Sequence, residues 1–395
     1  MRVGFMANFN KPTELAKITS LISKAYNIEV IYLRPKDILI KEHKVNGKVF
    51  VNNKWKTKKV DIPPFIDVVP YCFKKENREI MNYLKDKTFL SDDRTNVLSK
   101  IQLQELLRND KDFSHLIIPT HHALQFEDMV KYVNEYSTVV LKPLKGIRGR
   151  GVYILSKNEN NYTIGFKTEE KEMDESQLQS FFEDEIKGKT YIIQKYIQSR
   201  TVYGGDPFDC RVHVEKGADG KWESARSFIR IGIGQKVISN VNQGGGVGNP
   251  EPFLKANFGE QWKEIMDALN QLVVTLPYKI EELRGTHIMS LGMDIGIDRD
   301  GQLYLFEVND GPDTSNLISK VAFLRSNYYN YVLTHLIGKA PSTKVKKKKK
   351  SQLNQELLRE KNYYQKRYNL VVNSTSWKLT KPIRLAGKLM KKKNR

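Results

Sequence analysis

The sequence predicts an α+β protein, and three observations carry that prediction. The chain opens as strand, helix, strand; helical patterns then fill much of residues 76–108; and most of the remaining body alternates apolar and polar positions between turn signals, with few helical crossovers. In the opening unit, the apolar runs at 2–5 and 29–33 flank a helical pattern over 13–26, which reads as a βαβ-like start. Residues 44–60 contain Val45-Asn46-Gly47-Lys48, a hairpin signal, and the lysine-rich stretch 54–59 suits an exposed sheet edge. Residues 65–71 read as a buried strand. Helices are expected over 76–85, over 95–108 and from about 125, the last preceded by the short apolar segment 116–119. Strands are expected over 138–142, 151–155, 191–197, 210–215, 224–233, 293–297 and 302–308, and a helix over 259–276 precedes the last two. No internal repeat is evident.

Composition narrows the class. A chain of 395 residues with 39% hydrophobic, 10% aromatic and 28% charged residues is a folded protein of two or three domains, neither disordered nor fibrous. No apolar run reaches the roughly 20 residues of a membrane span, and the start Met1-Arg2-Val3-Gly4-Phe5 lacks the pattern of a secretory signal. The expectation is therefore a cytoplasmic protein, with Cys72 and Cys210 as buried thiols. The formal net charge of +21 is not evenly spread: residues 339–395 carry 19 Lys or Arg against Glu356 and Glu360, which leaves the preceding 338 residues at +4. The basicity thus belongs to a tail, entered through Ala340-Pro341-Ser342-Thr343 and the lysine run 346–350. Within it, 351–372 has helical spacing, and Trp377 with the stretch 381–393 mixes apolar and basic residues as membrane-surface segments do. An anionic membrane surface or glycan, a docking partner and a plain solvated tail all remain open. Nucleic acid is disfavoured, since no nucleic-acid fold signature accompanies the charge. If the tail does tether the protein, the location becomes the inner face of the membrane.

The chemistry-bearing residues lie in four groups. In 292–309, two alternating strands are joined through Asp300-Gly301. With a four-residue loop over 299–302, Asp294 falls opposite Glu307, and Asn309 shares the face of Glu307. Three hard oxygen ligands then converge, with Gly292 and Gly296 leaving space beside Asp294; magnesium suits such a set, completing its shell with water or phosphate. Asp298 and Asp300 are turn residues. In 139–152, an apolar strand ending in Lys142-Pro143 runs into Gly146, Gly149 and Gly151, which reads as a phosphate cradle or as a glycine-bearing hairpin turn. The strand 191–197, interrupted by Gln194 and Lys195, presents backbone and one amide to a purine edge, or is a plain core strand. Last, Asp209-Cys210-Arg211, Arg230, and Asn240 before a triple-glycine run offer groups for phosphate and an acyl oxyanion, with ion pairing of Arg211 to Asp209 as the alternative. His121, His122 and His213 have no metal-ligand spacing and read as structural or exposed.

The order of these motifs resembles the ATP-grasp superfamily, two α+β subdomains that clasp ATP, and is most similar to its endospore-coat-associated YheC/YheD branch. The resemblance covers about 91–336. It implies a small α/β pre-ATP-grasp domain over 1–90, an ATP-grasp domain over 91–338 and a separate linker and helical tail over 339–395. It further implies that Lys100 and Lys142 bind nucleotide phosphates under a loop carrying Lys145, Gly146, Gly149 and Gly151, with Asp209 and Arg211 contributing to the nucleotide site. Gln194, Lys195 and Ile197 would line the adenine pocket. Asp294, Glu307 and Asn309 would hold one or two Mg2+, or Mn2+, and Arg230 and Asn240, with Lys142, would face the transferred phosphate. The implied activity is ATP-dependent ligation of a carboxylate to an amine or thiol through an acyl-phosphate; a tail that tethers the protein near a membrane would point to a cell-envelope or glycan-linked acceptor. A hydroxyl kinase and a nucleotide-binding scaffold are the rivals. Gln194 departs from the family pattern, in which Glu is frequent at that place.

Overall fold

The computed structural model describes residues 1–144, 151–235 and 245–337, which form three sheets and the helices packed on them. Lys145, Gly146, Gly149 and Asn240, together with the whole tail from Lys339, lie outside the described residues. Among the described residues no helix is long and apolar enough to cross a membrane.

The first sheet contains β1 (Arg2–Met6), β2 (Glu29–Leu33), β3 (Ile38–Leu39), β4 (Lys44–Val51), β5 (Lys54–Asp61), β6 (Phe65–Val68) and β7 (Phe89–Leu90), the last two joined through α2 (Arg78–Lys87). Helix α1 (Glu14–Ser23) begins at Thr13, whose hydroxyl accepts from the Ala16 amide, and carries the crossover between parallel β1 and β2. The βαβ opening is therefore present as read. The hairpin is present too, but its turn is not at Asn46-Gly47. Those residues lie inside β4, and the reversal is at Asn52 and Asn53, both with positive φ (50° and 59°), as a type I′ turn demands. Gly47 answers to packing instead: a Cβ there would stand 2.2 Å from Ile31 Cγ2. Gly47→Ala is accordingly expected to cost about 1–3 kcal/mol through overpacking, measured as a lowered denaturation midpoint; an unchanged midpoint would show that β2 yields without cost.

The second sheet has the order β12-β11-β10-β9-β13-β8, from β8 (Thr120–Ala123), β9 (Thr138–Pro143), β10 (Tyr153–Asn158), β11 (Asn161–Phe166), β12 (Glu169–Met173) and β13 (Tyr191–Lys195). Helices α4 (Phe126–Tyr136) and α5 (Glu175–Phe181) cover it, Met129, Val133 and Leu178 meeting Val139, Leu141 and Ile193 in one core. The sequence reading missed β11, a short strand alternating Tyr162, Ile164 and Phe166 with smaller or polar residues, and β12, whose Lys171 and glutamates 169, 170 and 172 give no apolar alternation.

The third sheet, β16-β15-β14-β17-β18, is built from β14 (Phe208–Lys216), β15 (Trp222–Ile231), β16 (Gly246–Gly248), β17 (Ser290–Ile297) and β18 (Leu303–Asn309). One face, with Cys210, Val212, Ile229, Met293 and Ile295, packs on α6 (Pro250–Phe258) and α7 (Trp262–Arg284) through Leu254, Ile265, Leu269, Leu272 and Leu276. Helix α7 runs eight residues past the expected stop at 276. Pro277 is buried inside it, and the apolar face continues through Ile280, so packing holds the helix across a residue that removes one backbone donor. Helix α8 (Ile318–Tyr331), also unforeseen, lays Val321, Ala322, Tyr328 and Tyr329 onto Val3, Phe5 and Phe65 of the first sheet. Cys72 and Cys210 are buried free thiols, as expected.

Candidate nucleotide and metal site

Alternation along β14 turns Cys210 and Val212 into the core, so Asp209 and Arg211 project from the opposite face. Cross-strand register adds the rest. Asp209 pairs with Arg230 of β15, Arg211 with Asp294 of β17, and Asp294 in turn with Glu307 of β18, while Asn309 lies two residues further on opposite Gly292. The five positions named from sequence on these strands thus share one face with Asn309.

The register of Asp294 against Glu307 is reached by a different route than the sequence suggested. The loop has five residues, 298–302, not four, and this would shift the pairing by one. A bulge at Phe306 on β18 restores it. Asp298 closes the loop, its Oδ1 accepting from the amides of Asp300 (3.0 Å) and Gln302 (2.9 Å), which is the turn role expected. The two glycines do not leave room for a ligand. A Cβ on Gly296 would lie 2.1 Å from Phe306 Cζ, and one on Gly292 would lie 2.9 Å from Pro312 Cβ, so both spaces are filled by rings.

The face carries an alternating array of charge. Arg230 donates from Nε and Nη2 to the two oxygens of Asp209, both at 2.7 Å, and Nη2 stands 3.0 Å from Asp294 Oδ2. Arg211 grips Asp294 through both oxygens, Nη2 to Oδ2 at 2.8 Å. The Arg211–Asp209 pairing considered from sequence is therefore exchanged: Arg211 serves Asp294, and Asp209 serves Arg230. Burial works against the Arg230 cation, but Asp209 and Asp294 outweigh it and hold its pKa above the ordinary arginine value. Among the described residues no cluster of three or more His, Cys, Asp or Glu side chains is arranged to hold a metal. The donor set read from sequence is two carboxylates and an amide on one face, and the hard-oxygen chemistry of that set fits magnesium shared with phosphates.

Lys100 reaches this face from the first turn of α3 (Lys100–Arg108). Ser99 caps the helix with a capping box to Gln102, and Lys100 Nζ stands 3.1 Å from Glu307 Oε1. One turn on, Gln104 Nε2 donates to the Leu305 carbonyl at 3.2 Å and fastens α3 along β18. Lys142 comes from the second sheet, at the end of β9, where the Gln194 side chain on β13 accepts from its ammonium at 2.7 Å. Burial is the main reason the Lys142 pKa falls, to about 8; the Lys100 charge lowers it further, and Glu307 opposes both. Lys142, Lys100 and Glu307 are thus electrostatic neighbours across the two sheets.

Gln194 is almost fully buried, and its amide is engaged at both ends: Oε1 accepts from Lys142, and Nε2 donates to Thr120 Oγ1 at 2.8 Å. Its amide thus orients Lys142 and is fully engaged within the protein. Lys195 is exposed and Ile197 is buried beyond the strand end. Gly151 has φ +69°, and a Cβ there would stand 2.6 Å from the Tyr191 hydroxyl. Thr120 was not singled out from sequence; its role depends on the pairing of β8 with β13, which no local pattern announces. The histidines are structural or exposed: His121 stacks on Tyr132 with centroids 3.8 Å apart, His122 is exposed, and His213 bonds Glu215 at 2.8 Å.

The YheC/D like ATP-grasp family matches residues 92–335. The chain belongs to that family. The second and third sheets, which lie within those residues, are accordingly the α+β ATP-grasp fold, and the first sheet precedes it. Among curated proteins, the endospore coat-associated protein YheC of Bacillus subtilis (strain 168) is 23% identical over 338 residues, spanning 80% of this chain and 90% of that one. The endospore coat-associated protein YheD of the same organism is 23% identical over 295 residues, or 69% of this chain and 62% of that one. Similar solved structures include the ATP-grasp ligase PsnB complexed with minimal precursor, Mg and ADP (10% identity, 83% of this chain and 97% of that one, TM-score 0.48). A second is N5-carboxyaminoimidazole synthetase from Staphylococcus aureus complexed with ADP (11% identity, 82% and 77%, TM-score 0.45).

Proposed function

We propose that the protein is an ATP-dependent ligase that joins a carboxylate substrate to an amine, or a thiol, through an acyl-phosphate. The observation that carries the reading is the charge array at the third sheet, where cations suited to phosphate stand against carboxylates suited to a divalent ion, Lys100 against Glu307 and both Arg211 and Arg230 against Asp294. Bound ATP supplies the phosphoryl group, and Mg2+ supplies charge for its oxygens. In this reading Asp294, Glu307 and Asn309 hold the metal, and their present partners turn to phosphate, so charge stays balanced as ligands enter. Lys100 and Lys142 meet the nucleotide phosphates, with the loop of Lys145, Gly146, Gly149 and Gly151 over them. Arg230, held by Asp209, and Asn240 face the phosphoryl group as it moves to the substrate carboxylate, where fixed positive charge stabilises the equatorial oxygens. The amine then attacks the acyl carbon, the C–O bond to phosphate breaks as the C–N bond forms, and the departing phosphate takes up the proton that the amine loses. The base edge would lie along Gln194, Lys195 and Ile197. The domains of this reading are 1–90, 91–338 and a tail from 339.

Calorimetric titration of ATP tests it. The intact protein is expected to bind ATP more tightly with Mg2+ than without, and Glu307→Ala to lose the magnesium-dependent part, on the order of 10–100-fold. ADP release on screening carboxylates with amines would then support a ligase; a phosphorylated product formed without amine would make it a kinase, and binding without turnover a scaffold. Absence of ATP binding by the intact protein would overturn the nucleotide site itself.

A further inference from the structure

A second set of charges lies just outside this face and joins three separate segments. Arg284, at the end of α7, is 2% exposed and donates through Nη2 to Asp92 Oδ1 at 2.8 Å and through Nη1 to Asp92 Oδ2 at 3.2 Å. Its Nη1 also stands 3.5 Å from Asp310 Oδ1. Arg94 Nη1 donates to the other Asp310 oxygen at 2.7 Å and lies 3.5 Å from Asp92 Oδ2. Two arginines and two aspartates therefore close a ring.

Each member is tied to something that matters for the site. Asp92 and Arg94 begin the segment 92–99 that delivers Lys100, and Asp310 follows Asn309 directly. The segment 92–99 is bolted to the α7 terminus a second time, by Asn96 Nδ2 to the Arg284 carbonyl at 2.9 Å and by Arg284 Nε to the Asn96 carbonyl at 3.2 Å. Arg94 itself sits at φ +58°, a left-handed conformation that non-glycine residues seldom adopt; its amide donates to Asp92 Oδ1 at 2.7 Å, which helps hold it there. Beyond Asp310, Gly311 lies against Pro70 and Pro312 against Gly292, so Asp310 is where this strand exit is fixed in direction. Among the described residues, the bonds of the ring run to one another and to Asn96, not to Lys100, Glu307 or Asn309.

We propose that the Arg94–Asp310–Arg284–Asp92 ring is a positioning device that sets Lys100 against Glu307 and fixes Asn309 beside them, so that the phosphate and metal groups act as one unit. The proposal deepens the reading above and rests on it for the nucleotide; its structural half can be tested without ligand. Arg94 and Asp310 are the partly exposed half of the ring, with side-chain exposures of 21% and 22%, and can be changed without opening the buried Arg284. In ligand-free protein, Arg94→Gln and Asp310→Asn are expected to speed hydrogen exchange of the amides over 97–104 relative to the rest of the molecule. In ATP titrations both variants are expected to lose about 10–100-fold of the magnesium-dependent affinity while magnesium-independent binding stays as in the parent. Arg94→Lys, which keeps the charge, should recover most of that loss. Unchanged exchange over 97–104 overturns the proposal whether or not the protein binds ATP. So does a lowered unfolding midpoint with unchanged magnesium-dependent affinity, which would make the ring a structural clasp only. Failure of the intact protein to bind ATP, with faster exchange in the variants, would sink the nucleotide reading and leave the clasp on α3 standing.

Discussion

Arg325→Met is expected to destabilise the protein by about 3–5 kcal/mol, the range for leaving a buried charge without its partner. Arg325 on α8 is the hub of a cluster that spans two sheets. Its Nη2 and Nε meet the two oxygens of Glu215 on β14 at 3.0 and 3.1 Å, and its Nη1 meets Asp67 on β6 at 3.1 Å. Glu215 has no exposed surface and also accepts from His213 and Ser290; Tyr329 donates to Asp67. Burial works against the Glu215 carboxylate, yet Arg325 and His213 hold its pKa below the usual value, so it stays ionised. At Asp67 burial wins over Arg325 and Tyr329, and the pKa rises. Removing Arg325 strips the compensation from Glu215 and the counter-charge from Asp67 at once. The triple variant Asp67→Asn, Glu215→Gln, Arg325→Met, which takes out charge on both sides, is expected to regain much of the loss. Denaturant unfolding of the parent, single and triple variants decides the point: equal losses in the single and triple variants would mean that packing of α8, and not charge, is what Arg325 supplies.

This cluster marks a limit of the sequence reading. Asp67, Glu215 and Arg325 stand 258 positions apart at their extremes, and each by itself looks like an ordinary polar residue in an apolar element. By contrast, the face holding Asp209, Arg211, Arg230, Asp294 and Glu307 was legible, because period-two alternation assigns sides without knowledge of the fold. Pairing across that face was only half legible. The partner of Asp294 came out as Glu307 although the loop is longer than supposed, since the bulge at Phe306 compensates. The exchange of partners between the two arginines was not legible, because register between β14 and its neighbours depends on the lengths of distant connections. Gly47, Gly292 and Gly296 teach the same lesson: a glycine announces a close approach but not what approaches. Here it is Ile31, Pro312 and Phe306. The departure at Gln194, visible in the sequence alone, acquires meaning only once its amide is seen holding Lys142.

In the proposed site, that departure is expected to shape the pH range of nucleotide binding. A lysine is charged below its pKa, and burial has brought that of Lys142 from 10.5 to about 8. A glutamate at 194 would have opposed this fall, but the neutral Gln194 oxygen at 2.7 Å orients the ammonium without supplying a counter-charge. In the proposed site only the charged form serves phosphate. ATP affinity is therefore expected to be flat up to about pH 7, to bend near pH 8, and above it to approach about a tenfold loss per pH unit, as linkage to a single proton requires. Entry of phosphate would raise the Lys142 pKa again, so binding near pH 8 should take up a proton, seen as a binding enthalpy that varies with the ionisation heat of the buffer. Gln194→Glu places an anion against the ammonium and should raise the Lys142 pKa by about 1–3 units; the bend then moves to about pH 9 or beyond, and proton uptake at about pH 8 disappears. The new carboxylate also competes with phosphate for the same charge, so affinity at about pH 7 should fall while its pH dependence flattens. Those opposite changes separate a titrating Lys142 from general loss of the site, which would lower affinity equally at every pH. A bend that stays at about pH 8 in Gln194→Glu would assign the titration to another group.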